Sequence, residues 1–333
     1  MLRLFPLYQR GIKGDYKSNK SINQGAFMKT LVLFLFFANI MLSPAIIYRH
    51  DKDSTDYLKL AQEEQFKCVG HNFRIIKKNN TDSLLGKASC VLISDRYILS
   101  ACHLFTDVIT KDTTAYINDT TKIYYNILVS ENQAPCNEYR FQFENKLYEP
   151  DTIIFHPGYF GANPKGKSKN YDICLIKLKE PVSNIKIPQL NNKYDEVGKK
   201  AVGVGWGHYG GAYDDSLKLG KKLAGENMID SILNFRDGVP GYMVCDFDSP
   251  TDTNCNKTGN PQPLELEFFI SGGDSGGGLL IEKNNQWLLA GVSPSGGIYL
   301  DQFMKTGYYC HKYYWVRIST ILDWINKTIK ETK

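Results

Sequence analysis

Ser271-Gly272-Gly273-Asp274-Ser275-Gly276-Gly277-Gly278 follows a strand-like apolar run at residues 264–270 and sets one serine among glycines. Glycine at that density suits a backbone that turns sharply and lets another molecule approach closely. A serine held there can act as a nucleophile, and the amides of Gly273 and Ser275 can converge on a developing oxyanion. A glycine-rich hairpin turn would read the same way. What separates the two readings is whether a base and an orienting acid stand elsewhere in the chain.

Six histidines are available as bases. His103 follows the apolar run Tyr97-Ile98-Leu99-Ser100-Ala101-Cys102, and His156 sits in Ile154-Phe155-His156-Pro157. A lone histidine is usually a surface residue or a satisfied core residue, so neither is singled out by type. Asp172 opens the run Asp172-Ile173-Cys174-Leu175-Ile176-Lys177-Leu178. An aspartate entering an apolar strand is either exposed at the strand start or buried, and a buried carboxylate needs a partner. An imidazole N–H would satisfy it and be oriented by it.

The 333 residues are 42% hydrophobic and 23% charged, which is ordinary globular composition. The formal charge of +5 is modest, and no basic run interleaves with aromatics, so nucleic acid is not an expected partner. Residues 31–42 are uncharged and apolar, with Lys29 before them and Ser43-Pro44-Ala45 after. This is a secretory signal layout at residues 28–45, cleaved after Ala45, and too short for a stable membrane span. Residues 1–27 precede it as an artefactual extension, with Met28 as the start. Eight cysteines suit an oxidising, extracellular compartment. Sequons at Asn79, Asn118, Asn256 and Asn326 are candidate glycan acceptors.

Residues 46–67 are polar and read as a leader or propeptide-like segment. From about residue 68 to 333 the chain turns to short β-rich runs, at 73–76, 89–93, 97–100, 123–129, 152–155, 173–178, 201–204, 264–270, 277–281, 287–292 and 314–318. Such runs predict barrels or a sandwich. Ile321, Trp324, Ile325 and Ile329 have helical spacing, so residues 320–330 are predicted to dock as a C-terminal helix. Residues 184–198 read as a connector between two halves.

The segments together resemble the trypsin/chymotrypsin-like serine proteases. Ser100-Ala101-Cys102-His103 is similar to the family's histidine segment, Asp172-Ile173-Cys174-Leu175 to its aspartate segment, and Gly273-Asp274-Ser275-Gly276-Gly277 to its nucleophile motif, in the family's order. Gly205-Trp206-Gly207 and Leu322-Asp323-Trp324-Ile325 match its second-barrel and C-terminal segments. The resemblance covers roughly residues 70–330 and implies an all-β fold: two antiparallel β-barrels of the chymotrypsin type, at about 70–190 and 195–320, with a C-terminal helix. It implies His103 as base, Asp172 as its orienting acid, Ser275 as nucleophile, and Gly273 and Ser275 as the oxyanion hole. His156 becomes structural. The implied partners are protein or peptide substrates and protein inhibitors, with no metal and no cofactor. The alternative is an inactive homologue that binds rather than cuts.

Three departures qualify the resemblance. No activation sequence precedes the domain, although cleavage after Ala45 would expose Ile46-Ile47; in the family a new amine pairs with the residue that Asp274 represents. Phe269 falls where an acid would select Lys or Arg, and Phe269, Ser295 and Tyr313 imply a shallow apolar specificity pocket. The disulfides are rewired: Cys90–Cys102 is the expected bond, with Cys255–Cys310 and Cys68–Cys136 as further pairings and Cys174 as a free thiol. Gly273-x-Ser275-x-Gly277 also fits an α/β-hydrolase elbow, but the chain lacks alternating strand–helix units.

Overall fold

The computed structural model describes residues 46–78, 81–116, 122–160, 170–214, 218, 220–256, 258–294 and 309–332. The signal segment 28–45, the extension 1–27, Asn79, Asn118 and Ser295 lie outside them. In chain order the strands are β1 (Ile47–Tyr48), β2 (Val69–Lys78), β3 (Thr81–Leu92), β4 (Tyr97–Ser100), β5 (Thr106–Tyr116), β6 (Lys122–Gln133), β7 (Tyr139–Phe143), β8 (Lys146–Tyr148), β9 (Pro150–Phe155) and β10 (Cys174–Leu178). They continue as β11 (Gln189–Leu190), β12 (Lys200–Gly205), β13 (Gly210–Gly211), β14 (Leu223–Met228), β15 (Ser231–Asn234), β16 (Pro240–Asp246), β17 (Phe268–Phe269), β18 (Gly278–Lys283), β19 (Gln286–Val292) and β20 (Lys312–Arg317).

Two antiparallel sheets carry the chain. One runs β8-β7-β2-β3-β4-β10-β9 and the other β14-β12-β18-β19-β20-β16-β15. The two-sheet, all-β architecture with a C-terminal helix is the one the sequence implies. β5 and β6 form a compact unit of their own, a long two-stranded hairpin, where the sequence reading placed a single strand at 123–129. The strand expected at 264–270 shrinks to β17, because the Glu267 carboxylate accepts from the Leu264 N–H at 2.7 Å and closes a turn there.

Residues 46–67, expected as a leader outside the domain, pack into it instead. β1 lies between β13, in parallel, and β17, antiparallel, with Ile46 and Ile47 only 1% and 2% exposed. Helix α1 (Ser54–Ala61) is capped by Asp53, whose side chain accepts from the Thr55 N–H, and it buries Tyr57 and Ala61. The Tyr57 hydroxyl donates to the Glu267 carbonyl at 2.9 Å, and Arg49 Nη1 donates to the Leu264 carbonyl at 2.7 Å. The segment is therefore stapled to the chain just before the glycine-rich stretch.

The expected C-terminal helix is α2 (Ile318–Glu331), which buries Ile321 and Ile325. Its entry is fixed by the connector. Glu196 is fully buried and receives Arg317, the Ser319 hydroxyl at 2.9 Å and the Asn191 amide at 2.8 Å. Removing one partner of a buried ion pair strands the other charge. Glu196→Ala is expected to lower unfolding free energy by about 3–5 kcal/mol, read as a shifted denaturant midpoint; a change below about 1 kcal/mol would contradict this account.

Candidate active site

The acid is aimed by a strained backbone. Tyr171, immediately before Asp172, has φ of 52°, and the Ile173 N–H donates to the Tyr171 carbonyl at 2.6 Å. Tyr171 is held in this conformation from two sides. Its ring stacks on His156 at 4.2 Å, and its hydroxyl donates to Asp237 at 2.8 Å. His156 accepts the Gly158 N–H at its Nδ1, and burial lowers its pKa to about 4, so it stays neutral. It is structural, as the sequence reading has it.

The tight turn turns the Asp172 carboxylate inward, where it is fully buried. Its two oxygens take both donors of one residue. Asp172 Oδ1 accepts the His103 backbone N–H at 3.0 Å, and Oδ2 lies 2.7 Å from His103 Nδ1. The His103 side chain keeps 19% exposure against 1% for Asp172, so the imidazole bridges a buried charge and an accessible edge. β4 and β10 make this meeting inevitable: Ser100 pairs with Cys174, which places the residues just beyond, His103 and Asp172, at one end of the ladder.

The glycine-rich stretch is tied to the same strands. The Ser89 N–H of β3 donates to the Ser275 carbonyl at 2.9 Å, and the Ser89 hydroxyl donates to the Gly273 carbonyl at 3.1 Å. The Ser100 hydroxyl of β4 in turn donates to the Ser89 carbonyl at 2.8 Å. On the other side the Gly276 N–H donates to the Ser293 carbonyl at 2.7 Å. Two glycines are required for this fit. Gly276 has φ of 80°, and a Cβ there would lie 2.2 Å from the Ser89 carbonyl oxygen and 2.3 Å from Ser100 Oγ. Gly273 has φ of 95°, and its Cβ would strike the Gly207 Cα. Among the described residues neither the Gly273 nor the Ser275 N–H has an acceptor, which suits donors kept for a ligand. Ser89, Ser100 and Tyr171 were not singled out from sequence. The signals were hydroxyls inside apolar strands and an aromatic before the aspartate, both common patterns.

Asp274 turns away from the accessible side and is buried. It accepts only amides, Gly207 N–H at 3.3 Å and Ser271 N–H at 3.1 Å, and desolvation pushes its pKa up to about 8. Phe269 and Tyr313 are buried, 1% and 0% exposed, with ring centroids 5.0 Å apart at 73°. The Tyr313 hydroxyl donates to the Phe268 carbonyl at 3.1 Å and receives the Asn227 amide at 2.8 Å, so this ring is anchored as part of the core.

The expected Cys90–Cys102 bond is absent, and both are free thiols. The β3–β4 ladder pairs Val91 with Leu99 and Leu92 with Ile98, so the residue facing Cys90 is Ser100. Cys102 has already turned into the 3₁₀ turn Cys102–Phe105, where its thiol donates to the Ile173 carbonyl at 3.0 Å. Cys68 and Cys136 are free as well, correcting that pairing, and Cys174 is a buried thiol. Cys310 is in a disulfide; the side chain of Cys255 lies outside the described ones. The amide of Asn256 donates to the Ser249 and Pro261 carbonyls, bonds a glycan would disturb, whereas Asn326 is exposed on α2.

Among the described residues no helix is long and apolar enough to cross a membrane, and no cluster of side chains has the make-up of a metal site. No curated protein matches the chain. The two antiparallel half-barrels and C-terminal helix are of the chymotrypsin type, a family model described as Trypsin matches residues 65–325, and the chain therefore belongs to the trypsin-like serine protease family.

Proposed function

We propose that the chain is a secreted serine endopeptidase that cleaves peptide bonds through Ser275, His103 and Asp172 and an acyl-enzyme. One observation carries the reading: an imidazole held at 2.7 Å by a fully buried carboxylate, in the turn that follows β4, with the Ser275 loop hydrogen-bonded to Ser89 of the neighbouring β3. Asp172 fixes the tautomer with the proton on Nδ1, which leaves Nε2 to take the Ser275 proton and return it to the leaving amine. The Gly273 and Ser275 amides receive the oxyanion. The test is labelling by a fluorophosphonate probe, expected in the processed protein and lost in Ser275→Ala. Labelling that survives that substitution would assign the reactivity to another residue.

Secretion follows from the signal layout at 28–45, and cleavage after Ala45 leaves Ile46 as the first residue. Its α-amine is the cation we assign to Asp274. In the chain still carrying residue 45 that aspartate keeps only its two amide donors. This favours a second reading for that form, a weakly active homologue that binds protein partners. Probe labelling confined to the trimmed form would assign each reading to its own state.

Phe269, in the place where an acid would select a basic side chain, offers no charge, and it packs against the buried Tyr313 ring. A peptide library is expected to return small or apolar residues before the cut, with Lys and Arg disfavoured. Selection for Lys or Arg would refute the shallow pocket.

A further inference from the structure

A cavity of about 520 Å³ opens away from the residues assigned to cleavage, enclosed by Leu58 of α1, Val69 of β2, Gln142 of β7 and, from the second sheet's side, Trp206 and Lys222. That volume falls in the roughly 300–1,000 Å³ range of small-ligand pockets. Its walls are of two kinds. Leu58, Val69 and Trp206 are apolar, and the indole is held by His71 stacked on it at 4.8 Å and by its own N–H donating to the Val69 carbonyl at 3.4 Å. Gln142 brings an amide.

Lys222 is the unusual member. Its ammonium donates to the Phe66 carbonyl at 3.0 Å and the Val69 carbonyl at 3.4 Å, and it forms no ion pair among the described residues. An ammonium has three N–H donors, so one is left over. Burial lowers its pKa, which is the response of a cation short of both water and a counter-charge. No neighbouring charge is a direct partner: Lys67 on the cavity wall is paired with Glu64 at 2.8 Å, and the exposed Lys221 lies over the Tyr209 ring. Glu144, on the rim, is exposed and attracts the ammonium without forming an ion pair with it, which does not offset the cost of burial. A half-buried cation beside an indole, with an amide at hand, is the complement of a monoanion carried on an apolar body. A single half-buried lysine and a rim glutamate fit a carboxylate better than a dianionic phosphate.

From the unpaired Lys222 ammonium and the apolar Leu58–Val69–Trp206 wall around it, we infer that this cavity is a binding site for a chain-terminal carboxylate, the end of a peptide whose last residue is apolar. The inference does not depend on the assignment of Ser275 as nucleophile. The site is physically joined to that loop all the same. The Trp206 backbone N–H donates to Ser89 Oγ at 2.8 Å, and that hydroxyl donates to the Gly273 carbonyl.

The test is calorimetric titration of the full chain with N-acetyl-leucyl-leucine and with the same dipeptide as its C-terminal amide. The free acid is expected to bind at least about tenfold more tightly, the worth of one charge-assisted hydrogen bond. Lys222→Met keeps the stem and removes the charge, so acid and amide should then bind alike. If that variant fails to fold, Glu144→Gln decides the matter: loss of the rim charge should tighten acid binding about two- to fivefold at low salt, and the gain should fade as salt is raised. Equal binding of acid and amide to the native chain would overturn the proposal. So would an acid preference that survives Lys222→Met, which would locate the carboxylate elsewhere, or inorganic phosphate displacing the acid at equal concentration.

Discussion

Alanine at His103 is expected to lower kcat for a peptide substrate by about 10⁶, and asparagine at Asp172 by about 10⁴. The two changes remove different things. His103→Ala deletes the group that takes the proton from Ser275, so the nucleophile reverts to an ordinary alcohol. Asp172→Asn keeps the shape but offers an amide where the carboxylate accepted, which holds the imidazole in the wrong tautomer. The first change also costs stability. The Asp172 carboxylate is fully buried and bonds both the His103 backbone and side chain, whereas the imidazole is partly exposed. Deleting the ring takes away one donor of a desolvated carboxylate, so His103→Ala should also lower the melting temperature. KM should change little in either, because neither residue supplies uniform binding of substrate and transition state. A kcat within about tenfold of the parent for His103→Ala would remove this residue from the mechanism.

The fold and the His103–Asp172 contact were legible because they rest on local signals. A histidine after an apolar strand and an aspartate opening another each advertise a strand end, and the β4–β10 ladder brings those two ends together. What was misread depends on register or on long-range packing. Cys90 and Cys102 flank one hairpin in sequence, but Ser100 is the residue in register with Cys90, and no periodicity reveals where the turn begins. Residues 46–67 look like a leader by composition. Their role is decided by Ile46, Ile47 and Tyr57, three side chains buried against segments more than 150 residues away, which polarity averaged over the window conceals. The run at 264–270 reads as a strand by propensity, yet a buried Glu267 side chain outcompetes the ladder for the Leu264 amide.

Trimming the chain to begin at Ile46 is expected to raise its activity by orders of magnitude and to remove part of the stability loss at alkaline pH. Ile47 pairs with Gly210 and with Phe269, so one step back along both ladders sets Ile46 beside Tyr209 and Ile270. Ser271 is next, and its N–H is one of the two donors to Asp274. In the untrimmed chain desolvation raises Asp274 from 3.8 to about 8. A carboxyl raised in this way binds a proton in the folded state that the unfolded chain releases. Its favourable contribution is full below about pH 4 and is lost as pH rises through about 8. An α-amine beside it supplies the missing charge, so the carboxylate becomes the favoured form and that loss disappears. Asp230 and Asp248, which burial raises to about 8 and about 7, titrate alike in both forms, so their effect cancels in the comparison. The measurement is the melting temperature of the two forms at pH 5 and pH 9. The untrimmed form should fall by several degrees more, since each tenfold in proton affinity is worth about 1.4 kcal/mol. Asp274→Asn should flatten that extra loss in the untrimmed chain. In the trimmed chain it should abolish the gain in kcat, because the unpaired Ile46 amine would no longer order the turn that carries the Gly273 and Ser275 amides. Superimposable pH profiles for the two forms, or equal kcat, would place the cation for Asp274 elsewhere.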